Sequence, residues 1–393
     1  MPIINRIAEY HDEMTAWRRE LHQHPEIAFN EIWTSDFIAE RLKEFGVDEI
    51  HRGIAKTGIV AVIKGQEDNG KGIGLRADMD ALPIEEENDI EYKSRNPGLM
   101  HACGHDGHST MLLGAAKYLA ETRNFDGTVH LIFQPAEEVE GGAEIMVKEG
   151  LFERFKIDSV YGVHNRPGME VGKMCMRSGP TMAGFDLFDI NIQGYGAHGA
   201  RPQASIDPIV VQAHIVTALQ TIASRTVDPL EGVVVSVTQV SSGNNYNIIP
   251  DTAHLGGTVR CFSKEVQDTT EETMRRLCEN IGTAFGAKIT VNYERRYPPL
   301  HNRSDQIDLV ASIAADVVGA DNVDTDSAAI MASEDFSFML QERPGCFVNL
   351  GNGVGSVGGC TVHNPGYDFN DAALPYGATY WARLVETLME REA

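Results

Sequence analysis

Residues 181–294 read as strand, helix, strand, strand, helix, strand, inside a chain that otherwise alternates helices and strands one by one. FDLFDINIQG, GVVVSVTQVSSG, TAHLGGTVRCF and AKITVNYER supply the strands, and DPIVVQAHIVTALQTIAS and EVQDTTEETMRRLCENIGTAF the helices. This is the β-α-β-β-α-β order of a ferredoxin-like α+β unit, which closes its own apolar face and needs no strand from its neighbours. It therefore predicts an insertion: one domain from 1–180 and 295–393, discontinuous in sequence, and a second from 181–294. A length of 393 residues, too great for one ordinary core, agrees with that division. SGPTMAG and RRYPPLHN, broken by Gly, Pro and Ser, read as the hinges.

The flanking segments predict an α/β domain. Helices are expected over 3–23, 30–45, 107–122 and 141–152, with strands over 58–65, 72–83, 127–138 and 159–165. After the insertion come a helix over 306–318, a strand over 345–353 and a closing helix from about 371. Asp78, Asp80, Glu137, Glu138 and His164 all fall at the carboxyl ends of expected strands, where open α/β sheets form their ligand crevices.

Charge narrows the partners. The formal net charge of −24, from 57 acidic and 33 basic residues, opposes a nucleic-acid backbone or an anionic membrane as the main partner and favours a small molecule. The opening MPIINRIAEYHDEM lacks the basic-then-apolar order of a secretion signal, and no apolar run approaches the roughly 20 residues of a membrane span, so the expected location is the cytoplasm. Six scattered cysteines without a CxxC pair suit free thiols in a reducing compartment.

The densest chemical signal is MHACGHDGHST, residues 100–110, with Cys103 and His105 two apart and a helix expected to open near Asp106. Thiolate and imidazole are good ligands for a borderline-soft divalent ion, and each must shed its proton to bind. His101 and His108 read instead as solvated or capping residues. In QPAEE, adjacent Glu137 and Glu138 repel one another unless a cation or proton intervenes. His164 in GVHNRPG and His363 in HNPGYDFND are each, taken alone, more often structural than ligating. Their shared position at one crevice edge makes the combination a metal site.

The segments WRRELHQHPEIAFNE, LRADMDALP, MHACGHDGH, QPAEE, YGVHNRP, GAHGARP, NIIPD, GTVR, SEDFSFM and VHNPGYDFND, in that order, resemble the aminoacylase and carboxypeptidase-type amidohydrolases with two co-catalytic metals. The closest likeness is to the hippurate hydrolase and auxin-conjugate hydrolase subgroup. The resemblance implies a mixed-sheet catalytic domain of zinc-exopeptidase type with the insertion as lid and dimerisation domain. It implies two divalent ions per subunit (zinc, manganese, cobalt or nickel) on Cys103, His105, Glu138, His164 and His363, with Cys103 bridging, and Glu137 as catalytic base. It further implies that His198 stabilises the oxyanion in the partner subunit of a homodimer, or of a homotetramer, and that Asn247 and Arg260 bind substrate. Read without it, His198 sits on the Gly-rich loop GYGAHGARP, where backbone can approach a ligand closely, with a plain surface loop as the alternative, and Arg260 is a strand-end charge.

At the position of Asp78 the wider family usually has a histidine ligand; RADMD has none, which leaves Asp78 in doubt as a ligand and Asp80 as a residue orienting one. His22, His24 and Glu26 are expected to be structural. The implied reaction is hydrolysis of an N-acyl amino acid to a carboxylic acid and a free amino acid. A dipeptidase or carboxypeptidase of the same fold is the alternative within the class, and a non-catalytic metal-binding scaffold the alternative outside it; the retained Glu137 argues against the scaffold.

Overall fold

The computed structural model describes residues 3–391. They form two compact units: residues up to Gly179 with His301–Ala328 and those from Asp335 onward, and Pro180–Leu300 with Ala329–Glu334.

The first unit is built on an eight-stranded mixed sheet in the order Glu49–Ile54, Gly58–Lys64, Thr128–Gln134, Gly72–Asp78, Ser159–Pro167, Gly345–Gly353, Met174–Cys175, Val323–Asp324. The four strands from Thr128–Gln134 to Gly345–Gly353 are mutually parallel. Gly72–Asp78 is buried along its whole length, as a strand covered on both faces must be, and its near-continuous apolar run follows from that. The edge strand Glu49–Ile54 is absent from the sequence reading, since its EIHRG carries the polar, half-exposed pattern that protects a sheet edge and leaves no apolar alternation to detect.

The helix His105–Thr122 is buried on nearly every side through its first three turns. It packs against Gly72–Asp78 and against the helices His11–Gln23, Ile32–Phe45 and Leu374–Leu388. Met111, Leu112, Leu113 and Leu119 are fully buried, and each contributes roughly 2–3 kcal/mol of hydrophobic stabilisation. A helix buried all round belongs in a core, and here it carries His105 at its amino end, with Cys103 two residues ahead.

Several boundaries differ from expectation. The expected helix 3–23 is two helices, Asn5–Glu9 and His11–Gln23, and 141–152 is Gly142–Lys148 and Leu151–Arg154, parted by Gly150 at φ +89°. The strand expected over 127–138 stops at Gln134, because Pro135 has no N–H to continue the ladder; Glu137 and Glu138 therefore stand in a turn beyond the strand. The segments read as hinges contain the short strands Gly179–Met182 and Leu300–Asn302.

In the second unit a four-stranded antiparallel sheet runs in the order Val233–Ser242, Thr252–Cys261, Gly184–Gln193, Lys288–Tyr297. Strict alternation along Gly184–Gln193 turns Phe188, Ile190 and Ile192 inward, against Val211, Ile215 and Leu219 of helix Pro208–Thr221 and Met274 and Cys278 of helix Lys264–Phe285. Both helices are capped locally, by Asp207 on the Ile209 N–H and Ser263 on the Val266 N–H, and the second ends on Gly286 at φ +75°.

Candidate metal centre

Loops from the carboxyl ends of the parallel strands carry the predicted residues to one place in the first unit. Asp80 follows Gly72–Asp78, Glu137 and Glu138 follow Thr128–Gln134, His164 lies late in Ser159–Pro167, and His363 lies in the loop after Gly345–Gly353. Cys103 precedes helix His105–Thr122 across Gly104, which adopts φ +95°. A Cβ on Gly104 would sit 2.4 Å from the Tyr367 hydroxyl and 2.5 Å from Asn165 Oδ1, so glycine alone fits. The His363 N–H donates to the Ala102 carbonyl at 2.7 Å, tying the two ligand-bearing loops together. His363 itself has φ +61°, a conformation that costs a non-glycine residue on the order of 1 kcal/mol.

The side chains converge. Cys103 Sγ is 3.4 Å from His164 Nε2, Glu138 Oε1 is 3.2 Å from His363 Nε2, and the same oxygen is 3.9 Å from His105 Nε2. Ligand atoms of Cys103, His105 and His164 lie within 4.8 Å of one another, as do those of Cys103, Glu138 and His363 and those of His105, Glu137 and Glu138. Donors about 2.0–2.3 Å from one tetrahedral ion stand roughly 3.3–3.8 Å apart, so the spacing suits divalent cations, with Cys103 common to two of the groups. Two atoms support that fit: His105 Nε2 and Glu138 Oε1 are buried and face each other without a hydrogen-bond partner, a costly arrangement unless a cation takes both lone pairs.

Electrostatics point the same way. Burial pushes the Cys103 thiol well up, and Glu138, Glu137 and Asp78 push it further, so a thiolate here requires positive charge beside it. Burial opposes charge on His105, but Asp78, Asp80 and Glu138 outweigh it and hold the imidazole up at about 10. Burial, followed by the neighbouring His108, holds His164 down at about 3.

The surrounding groups fix tautomers. His105 Nδ1 donates to the Asp80 carbonyl at 2.9 Å and lies 3.1 Å from Asp80 Oδ1, leaving Nε2 for a ligand. Asp80 Oδ2 also accepts the Glu138 N–H at 3.1 Å. His164 Nδ1 donates to the Asn165 carbonyl at 2.7 Å, which turns its Nε2 toward Cys103. Asp78 is occupied: Oδ2 accepts from Arg76 at 2.8 Å and Oδ1 from His108 Nδ1 at 2.6 Å.

His101 and His108 are both buried, contrary to the expectation of solvated or capping residues. His108 bridges Asp78 and Asn165, and Asn165 donates in turn to the Tyr367 hydroxyl at 2.7 Å. Asn165 and Tyr367 received no role from the sequence, although both stand within the segments YGVHNRP and VHNPGYDFND. His22 joins Asp106 at 2.8 Å to Glu86 at 3.2 Å. Arg18, fully buried, binds Asp371 at 2.6 Å and Asp368 at 3.2 Å. His24 stacks on Trp33, and Glu26 accepts the Trp33 and Thr34 N–H groups at the start of helix Ile32–Phe45.

His198 and Asn247 belong to the second unit and line one open groove there. His198 pairs with Ile248 in a two-stranded ribbon, and its Nδ1 accepts the Ala200 N–H at 3.1 Å, which leaves Nε2–H as an exposed donor. Arg260 is not brought to that groove. It lies eight residues along Thr252–Cys261 from Thr252, which itself lines the groove; at about 3.3 Å per residue the separation is roughly 26 Å. Its guanidinium stacks on Phe185 at 4.0 Å and donates to Ser333 at 2.8 Å, and burial lowers its pKa.

The chain is similar to known proteins over nearly its whole length. It is 40% identical to the hippurate hydrolase of Campylobacter jejuni over 384 residues, covering 98% of each chain. It is 44% identical to an N-acyl-L-amino acid amidohydrolase of Geobacillus stearothermophilus, over 75% of this chain and 80% of that one. A solved structure from Bacillus subtilis, described as a dinuclear metal-binding peptidase of family M20, superposes with a TM-score of 0.85 at 34% identity, over 98% of this chain and 99% of that one. The model of peptidase family M20/M25/M40 matches residues 74–387, which include every residue of the cluster, and the chain belongs to that family.

Proposed function

We propose that this protein hydrolyses the amide bond of N-acyl amino acids of the hippurate type, releasing a carboxylic acid and a free amino acid. The observation that carries the reading is a carboxylate, Glu137, buried beside a cluster of thiol, imidazole and carboxylate donors that suits two divalent ions. Cys103, His105, Glu138, His164 and His363 would hold the ions, Cys103 serving both. When bound, such ions supply Lewis acidity, polarising the amide carbonyl and acidifying water.

Glu137 takes the proton of the attacking water and passes it to the departing amide nitrogen, one carboxylate serving as base and then as acid. Asp80 holds His105 and the Glu138 backbone in register. The His198 Nε2–H donates to the carbonyl oxygen as negative charge develops there, a role commonly worth about 3–4 kcal/mol of barrier. Arg260 and Asn247 bind the substrate, the guanidinium fork matching the free α-carboxylate.

The separation of Arg260 from His198 and Asn247 within one chain supports a homodimer in which the groove residues of one copy serve the other. Six unpaired cysteines support a reducing, cytoplasmic location.

The test is metal titration of the apo-protein with hippurate turnover as the readout. Activity should rise to a plateau at two ions per chain, and Glu137→Gln should keep both ions while losing turnover by orders of magnitude. Two bound ions without turnover on any of several N-acyl amino acids would favour a metal-binding scaffold instead.

A further inference from the structure

We propose that Glu31 is a positioning residue that aims Glu137 by holding the backbone of the turn before it; the proposal rests on Glu137 being the base. Glu31 stands immediately before helix Ile32–Phe45, where Ser, Thr, Asp or Asn ordinarily caps the first turn, and it makes no side-chain cap. Glu26 accepts those N–H groups instead. The Glu31 carboxylate, fully buried, turns the other way: Oε1 accepts the Ala136 N–H at 3.0 Å and Oε2 the Thr57 hydroxyl at 2.7 Å.

Ala136 needs that partner. Pro135 has no N–H, so the Ala136 N–H is the first donor beyond strand Thr128–Gln134, in a residue with no exposed surface. Ala136 also has φ +55°, a left-handed conformation that an L residue avoids unless its surroundings impose it. Its carbonyl accepts the Gly142 N–H at 3.0 Å, and a Cβ on Gly142 would lie 1.7 Å from the Pro135 carbonyl, so the turn folds back tightly on itself.

Asp80 holds the Glu138 N–H at 3.1 Å, and Asp335 holds the Ala143 N–H at 2.9 Å and the Gln134 side chain at 2.8 Å. Glu137 lies between these anchors. Glu31 fixes the amide of the residue immediately before it while the Gly142 N–H holds that residue's carbonyl, and together they set the direction in which the Glu137 side chain leaves the backbone. A misplacement of about 1 Å at a reacting group can cost on the order of 100-fold in rate.

The experiment uses the full-length, metal-loaded protein with hippurate, reading kcat, KM and bound metal for Glu31→Gln, Glu31→Asp and Glu31→Ala, each alone and with Glu137→Gln. Glutamine keeps the reach and an acceptor oxygen for the Ala136 N–H. Aspartate keeps the charge but falls one methylene short. Glu31→Gln should stay within about fivefold of the parent in kcat. Glu31→Asp and Glu31→Ala should lose about 100-fold in kcat with KM little changed and two ions retained.

In the Glu137→Gln background the same changes should cost less than about twofold, because the group being aimed is gone. Should Glu31→Ala fail to fold, the contrast between Asp and Gln still decides. The proposal is overturned if Glu31→Asp keeps turnover while Glu31→Gln loses it, if metal is lost, or if the double variants show additive losses. Failure of the underlying reading looks different: Glu137→Gln alone would then turn over at the parent rate.

Discussion

Asp80→Asn should weaken metal binding by about 10- to 100-fold while leaving the fold intact. The Asp80 carboxylate makes two charge-assisted contacts at once, to His105 Nδ1 at 3.1 Å and to the Glu138 N–H at 3.1 Å, from a fully buried position. Asparagine has the same shape but one acceptor oxygen. It serves His105 or the Glu138 backbone, and presents an amide N–H to the other donor. Losing one hydrogen bond to a charged group costs about 1.5–3 kcal/mol, which corresponds to roughly 10- to 150-fold in an equilibrium constant and agrees with the usual effect of removing a group that orients a metal ligand. The cost falls on the metal-loaded state, because only there must His105 present Nε2 in a fixed direction. Competition against a chromophoric chelator measures it, with circular dichroism confirming the fold. Affinity for both ions within twofold of the parent would refute the reasoning, since Asp80 would then orient nothing.

Three further perturbations test other parts of the structure. Gly104→Ala places a methyl group against Tyr367 and Asn165 at φ +95°, and should cost about 2–4 kcal/mol in urea denaturation together with metal uptake; a change below 1 kcal/mol would mean that the loop shifts freely. Arg18→Met removes the buried cation from Asp368 and Asp371, the latter keeping Arg19 at 3.0 Å, and should destabilise by about 2–4 kcal/mol, read as a shift in the denaturation midpoint, whereas an unchanged midpoint would show that water replaces the guanidinium. His130 is held down at about 4, chiefly by burial, so it is neutral when folded and takes a proton when unfolded. Its contribution is therefore fully present above about pH 6.5 and is lost as pH falls toward 4, a swing on the order of 3 kcal/mol. His130→Gln should flatten the stability profile over that window, and an unaltered acid limb would assign the loss to other groups.

What could be read from the sequence divides along physical lines. Periodicity exposes elements whose burial is one-sided, so the alternating Gly184–Gln193 and the amphipathic Lys264–Phe285 are readable as a strand and a helix. The edge strand Glu49–Ile54 was invisible because its protection consists of lacking such a pattern. Metal-type side chains announce themselves by chemistry: Cys103 and His105 stand out by residue type and spacing, and Glu138, His164 and His363 by a shared place at one crevice edge, while the full ligand set comes from the family resemblance. The groups behind them do not stand out. Glu31, Asn165, Tyr367 and Asp335 act through backbone amides or through another side chain, and such contacts depend on register between segments more than 100 residues apart in several cases. His108 was misjudged for the same reason, since burial of an imidazole between Asp78 and Asn165 leaves no local trace.

The RADMD segment shows how the cluster holds together without a histidine at position 78. An aspartate there would be an additional buried negative charge among Glu137, Glu138 and Cys103, but Arg76 and His108 engage its two oxygens, and Arg76 also binds Asp335 at 3.0 Å. Asp78, at the strand end, is thereby fastened at both oxygens, with Oδ2 also 3.8 Å from His105 Nε2. Asp80, two residues on, keeps an orienting carboxylate at the site and directs it at His105, an imidazole supplied by the amino end of a different element. The imidazole thus comes from the helix that also brings Cys103, which couples both donors to a single rigid, buried support. Displacement of that helix would disturb Cys103 and His105 together, and the His363 N–H on the Ala102 carbonyl at 2.7 Å would pass the change to the His363 loop.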